Sequence, residues 1–141
     1  MYEQTQSKVF FDLHTEGVGY LDRIRLVKPK KGESFMACTI AAMRGDSDDV
    51  NYTKFDCRVS GAEAKQWIDQ LAPAVAEKKK VIVRFKIGDI YPELFTYENG
   101  DRRGETGVSI KGRLLKIRGA KVDGQPVTLP GNVSDSQSQA S

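Results

Sequence analysis

Apolar residues recur in two rhythms along the chain, and the changes of rhythm divide it into elements. Between Tyr52 and Val59 the odd positions Thr53, Phe55, Cys57 and Val59 are predicted to face inward. Tyr52, Lys54, Asp56 and Arg58 then face outward, the period-two pattern of a strand with one side on a core. Val81 to Ile87 repeats it, with Val81, Val83, Phe85 and Ile87 inward and Ile82, Arg84 and Lys86 outward. From Val18 to Val27 the even positions Val18, Tyr20, Ile24 and Leu26 are expected inward, with Arg23 and Arg25 opposite. Phe35 to Met43 is almost continuously apolar, as in a strand buried on both sides or bent at a barrel corner. Val108 to Ile117 sets Val108, Ile110 and Leu114 against Ser109, Lys111 and Arg113, with Gly112 the expected bulge.

One stretch has helical spacing instead. Ala64, Trp67, Ile68, Leu71, Ala72 and Val75 share a face, which makes Trp67 a core residue, and Ser60 with Glu63 forms a capping-box pattern at the start. Pro73 is expected to kink or end this helix, and Lys78 to Lys80 suit its C-terminus. Residues 28–33, KPKKGE, form a turn, Arg44 to Asn51 a polar loop, and Gly88 to Gly107 a long hairpin with Asn99-Gly100 at its tip. Three strands, a helix and two more strands make a mainly β chain. The order is that of a five-stranded Greek-key barrel of the oligonucleotide-binding (OB-fold) kind, with the helix between strands three and four and the long hairpin between strands four and five. Residues 1–16 then form an N-terminal arm or edge strand, 17–122 the barrel domain and 123–141 a flexible polar tail.

Composition changes this picture little. A chain of 141 residues with 39% hydrophobic and 29% charged residues suits one soluble domain. It shows no membrane-spanning run and no signal-peptide pattern, so no membrane partner is expected. Two cysteines, Cys38 and Cys57, make neither a disulfide framework nor a metal site, and a reducing cytoplasm is the expected compartment. His14 is the only histidine, and there is no phosphate loop or nucleophile elbow. The expectation is a protein that is not an enzyme and has no cofactor or metal. Asp89 and Glu93 read better as surface charges than as an acid/base pair.

Charge distribution changes more. Net charge is only +3, yet between Arg102 and Lys121 seven basic residues face the single acid Glu105. A basic face on a nearly neutral protein is either a solvated surface or a polyanion site. Single-stranded nucleic acid needs cations for phosphates and rings for bases. Arg23, Arg25, Lys54 and Arg58 supply charge before the helix, and Arg84, Lys86, Lys111 and Arg113 after it. Tyr52, Tyr91, Phe95 and Tyr97 supply rings, and Arg102 and Arg103 make the hairpin tip basic. Equally, Tyr91 and Phe95 could close the barrel end, or Phe95 and Tyr97 could build a subunit interface. Nothing in the pattern chooses between DNA and RNA.

The stretches GVGYLDRIRLVKPKKGE, FMACTIAAMRG, NYTKFDCRVSG running into AEAKQWIDQL, VIVRFKIGDI and GVSIKGRLLKI resemble the bacterial single-stranded DNA-binding protein class. They are closer still to the small replication-associated proteins of integrative and conjugative elements. The resemblance covers roughly residues 17 to 120. It implies an OB-fold homodimer or homotetramer that coats single-stranded DNA in replication, recombination or conjugative transfer, with replication or conjugation proteins as partners. Where that class often carries a stacking Trp in its third strand, this chain has Tyr52 and Phe55 around TKF. Its end, SDSQSQAS, has one acid and no aromatic, so recruitment through an acidic, Phe-tipped tail is not expected. The rival expectation is a protein-interaction adaptor, primosome-like, that docks through the aromatic hairpin.

Overall fold

A computed structural model describes residue 9 and residues 11–129. The elements are β1 (His14–Val27), β2 (Phe35–Asp46), β3 (Asp49–Val59), α1 (Ala62–Ala76), β4 (Val81–Thr96), β5 (Thr106–Val122) and β6 (Gln125–Val127). Their hydrogen-bonded order is β3-β2-β1-β4-β5-β6, and a further pairing of β3 with β5 closes the first five strands into a barrel. That closure is parallel, Phe55–Val59 against Ile110–Leu114, whereas every other pairing is antiparallel. The result is a five-stranded OB-type barrel with one helix between its third and fourth strands, as the sequence predicts. Strand β6 lies outside it.

Alternation explains the core. Val81, Val83, Phe85 and Ile87 of β4 are all buried and meet Ile40, Leu114 and Ile117 inside the barrel. The helix closes the barrel with Ala64, Trp67, Ile68 and Leu71, so Trp67 is indeed a core residue. Cys38 and Cys57 are register partners across β2 and β3, both buried and both free thiols. A hydrogen bond with Cys38, together with burial, pushes the Cys57 thiol above its usual range.

Several local expectations give way to tertiary constraints. In β1 the odd residues Gly19 and Leu21 are buried, while Val18 is exposed and Tyr20 half-buried. A bulge between Asp22 and Arg25, with Arg23 at φ 50°, then reverses the parity and puts Ile24 on the core, while Leu26, next to the end of the strand, stays exposed. The capping box does not form. Gly61, at φ 95°, is the N-cap without a side-chain bond, because Ser60 is occupied: its N–H donates to the Leu114 carbonyl and its Oγ accepts from Arg113. Pro73 sits inside the helix, which continues to Ala76; the bond it lacks belongs on the solvent-exposed side, at Asp69.

The expected Arg44–Asn51 loop is paired strand, with Arg44 opposite Asn51 and only Ser47-Asp48 left as the turn. Asp89 and Ile90 of β4 stand opposite Gly112, between the pairs Gly88–Arg113 and Tyr91–Lys111, so a bulge does fall at this glycine, its extra residue being on β4. A Cβ on Gly112 would lie 2.6 Å from Ile87 Cγ2, so the residue is small to let β5 close onto the core. Asp123 and Gly124, at φ 48° and 85°, make a two-residue hairpin turn into β6 where a tail was expected. Leu129 is buried, and residues 130–141 lie outside the described residues. On the N-terminal side, β1 already pairs with β4 from His14, which therefore belongs to the barrel, whereas Phe10 lies outside the described residues.

Glycine 19 tests the closeness of β1 and β2. Its Cβ would stand 2.6 Å from the Ala41 carbonyl oxygen, whereas one at Gly119 would meet nothing within 4 Å. Gly19→Ala is expected to cost about 1–3 kcal/mol in urea denaturation, as overpacking does, and Gly119→Ala to be close to neutral.

Candidate nucleic-acid interface

Where β3 and β5 meet, the outer wall of the barrel is indented by a groove of about 780 Å³. Its lining runs from Val27 and Phe35 at the β1–β2 turn, over Ala37, Asp56 and Arg58, to Lys111 and Arg113 of β5 and Tyr91 and Glu93 of β4. Small residues make the indentation possible, since Ala37 and Gly112 leave the strands uncovered between larger neighbours.

Asp56 organises the centre. Arg25 Nη2 donates to its Oδ1 at 2.6 Å and Lys111 Nζ to its Oδ2 at 2.6 Å. Arg25 Nη1 also donates to the Arg23 carbonyl at 2.9 Å, so one guanidinium ties the β1 bulge to β3. Burial opposes the charge on Asp56, but the hydrogen bonds and positive charges of Lys111 and Arg25 outweigh it and hold the carboxyl below its usual range. The same bond to Asp56 holds Lys111 above its usual range, against the effect of its own burial.

The other cations are less committed. The Arg58 guanidinium lies over the Phe35 ring at 4.2 Å, a cation–π contact open to the groove. Arg113 donates to Ser60 Oγ at 2.7 Å and, at 3.3 Å, to Asp89. Beyond Tyr91 the hairpin stands out from the barrel as two paired strands, Tyr91–Thr96 on Thr106–Lys111. Phe95 and Tyr97 meet edge to face at 4.9 Å, over the space that a Gly107 side chain would fill. Arg102 covers the Tyr97 ring at 4.5 Å and donates to both Tyr97 Oη and Glu105. These hairpin rings are therefore partly engaged with one another.

Five of the residues nominated by sequence, Arg25, Arg58, Tyr91, Lys111 and Arg113, share the groove. Phe95, Tyr97, Arg102 and Arg103 belong to the adjoining hairpin and its tip. Others lie on different parts of the wall. Tyr52 packs on Tyr20, with ring centroids 6.1 Å apart, and Lys54 is aligned with the same Tyr20 through Ala41. Arg84 and Lys86 sit beside Val18 and Glu16 of β1 and Gly119 and Lys116 of β5. Arg23 lines a second cleft of about 720 Å³ between the β1 bulge and the end of α1. Arg23, Lys54, Arg84 and Lys111, all outward by parity, thus do not share one face. Outward parity is shared all around a closed barrel, and parity alone does not say which part of the circumference a residue occupies.

The sequence pattern does not nominate Phe35 or Asp56, and it reads Asp89 and Glu93 as surface charges. A signal for Asp56 was present, as it stands on the outward parity of β3 between Lys54 and Arg58. Its partners, 31 and 55 residues away, left no such trace.

A closed five-stranded barrel with one helix between its third and fourth strands defines the fold as OB-type. The chain belongs to the family described as DUF3577, protein of unknown function, whose model matches residues 4–136. No curated protein and no solved structure matches it.

The Asp56 pairing predicts a pH profile of stability. A carboxyl whose folded pKa is lowered from 3.8 stabilises fully above that value, and the gain is lost as pH falls through the folded pKa. For Lys111, raised from 10.5, the gain is full below that value and is lost as pH rises through its folded pKa. Asp56→Asn should therefore flatten the acid limb of stability measured against pH. At neutral pH it should cost about 1–2 kcal/mol, the range for charge-assisted bonds discounted for partial exposure.

Proposed function

We propose that this protein binds single-stranded DNA without strong sequence dependence, through the groove and the hairpin beside it, as a non-enzymatic module. The observation that supports this best is Arg58 stacked on Phe35 within an open groove that also presents Tyr91, Lys111 and Arg113. Rings and guanidinium planes offer surfaces for unstacked bases, and the neighbouring cations meet phosphates; a duplex, with its bases stacked inside, offers the rings nothing. The resemblance to the single-stranded DNA-binding class extends the proposal to a homo-oligomer serving replication, recombination or conjugative transfer. RNA remains a ligand for the same chemistry, because no residue here is assigned to a ribose hydroxyl.

A second observation supports the adaptor reading. Leu94 and Val108 are register partners on the hairpin and stand 70% and 62% exposed, an apolar pair free to dock on protein, a second copy included.

Fluorescence anisotropy of a labelled oligonucleotide against the same length of duplex tests the first reading. Binding should favour the single strand and weaken with salt. With Arg25 and Lys111 already held by Asp56, about two to four phosphates are neutralised, a log–log slope of about −1.5 to −3. Phe35→Ala should weaken binding by about 1–3 kcal/mol, the value of one stacked base, with little change of slope. No single-strand binding at low salt, with a Leu94→Lys variant that changes sedimentation or partner capture, would favour the adaptor reading instead.

A further inference from the structure

The groove holds nearly as many carboxylates as cations: Arg25, Arg58, Lys111 and Arg113 share it with Asp56, Asp89 and Glu93. A surface that met only phosphates would be weakened by each carboxylate, since like charge repels the polyanion. Asp56 is accounted for, with both oxygens bonded at 2.6 Å. Asp89 and Glu93 are paired more loosely. Arg113 stands 3.3 Å from Asp89 and Lys111 3.5 Å from Glu93, long for charge-assisted bonds, and the two side chains are 59% and 52% exposed. Each keeps acceptor capacity turned toward the groove.

The position of Asp89 is strained as well. Its φ of 53° lies in the left-handed region, within the segment where β4 slips register against β5 between Gly88 and Tyr91. Bulges of this kind re-aim side chains beside functional sites. Tyr91, 52% exposed, lies between the two carboxylates in sequence and offers a ring face.

We propose that Asp89 and Glu93 read base edges, accepting hydrogen bonds from exocyclic amino groups, so that the groove favours cytosine over thymine. An ionised carboxylate only accepts. Cytosine presents its N4 amino donor where thymine presents the O4 acceptor, so the same carboxylate attracts one base and repels the other. This rests on the reading of the groove as a single-strand site and adds a bias to otherwise tolerant binding.

The test compares labelled oligodeoxycytidine with oligothymidine of equal length by anisotropy, at one moderate salt and mildly alkaline pH. Oligodeoxycytidine should bind about tenfold more tightly, the order expected for one amino–carboxylate contact. Asp89→Asn and Glu93→Gln should bring that ratio toward one, chiefly by improving oligothymidine binding. Equal affinities in the unaltered protein overturn the assignment and leave the single-strand reading standing. Variants that tighten both oligonucleotides equally also overturn it, because the carboxylates then merely repel phosphate. If neither oligonucleotide binds at low salt, the single-strand reading itself falls, and the base assignment with it.

Discussion

The parallel pairing of Phe55–Val59 with Ile110–Leu114 is the constraint on which the rest of the molecule depends. Without it the strands form an open antiparallel sheet with two long edges, and edges invite uncontrolled association. With it, β5 must satisfy β4 along most of its 17 residues and β3 through its middle. The mismatch is absorbed in β4, whose register against β5 shifts three times. Gly112 is then needed opposite Cys57, because the closing strand passes within contact of Ile87. The pairing ends where the Ser60 N–H meets the Leu114 carbonyl, and Gly61 turns the chain into the helix that closes the barrel.

The groove is a product of the same closure. Asp56 and Lys111 come together only because β3 and β5 run side by side, and Arg25 reaches them because the β1 bulge delivers it to that side. The triad ties three strands at one carboxylate and fixes the positions of Arg25 and Lys111. It also means that two of the cations counted in the sequence, Arg25 and Lys111, are already paired within the fold.

How much of this was legible depended on how local the cause was. In β3 and β4 each residue keeps its side from end to end of the inward run, so Phe55, Cys57, Val83 and Phe85 could be placed inside from alternation alone. In β1 the left-handed Arg23 breaks the rule: the inward side is odd before the bulge and passes to Ile24 after it, so one alternation read through the whole strand misplaces Val18 and Tyr20. The capping box failed for a related reason: Ser60 has the right chemistry, but Arg113, 53 residues away, takes its hydroxyl. Among the site residues, Arg58, Lys111 and Arg113 were readable as outward cations on strands. Their company was not, and Lys54 and Arg84 looked equivalent to them until the barrel was closed.

By itself, then, the chain order determined the five barrel strands and their order, the helix with its buried Trp67, and the existence of outward basic and aromatic positions. Hydrophobic periodicity acts over a few residues and is written directly into neighbouring side chains. Only the tertiary structure decided which outward positions share a surface, because curvature and bulges distribute one parity around a full circumference. It also decided that Asp56 stands between Arg25 and Lys111, since that depends on strand pairings separated by 31 and 55 residues, which no local pattern encodes.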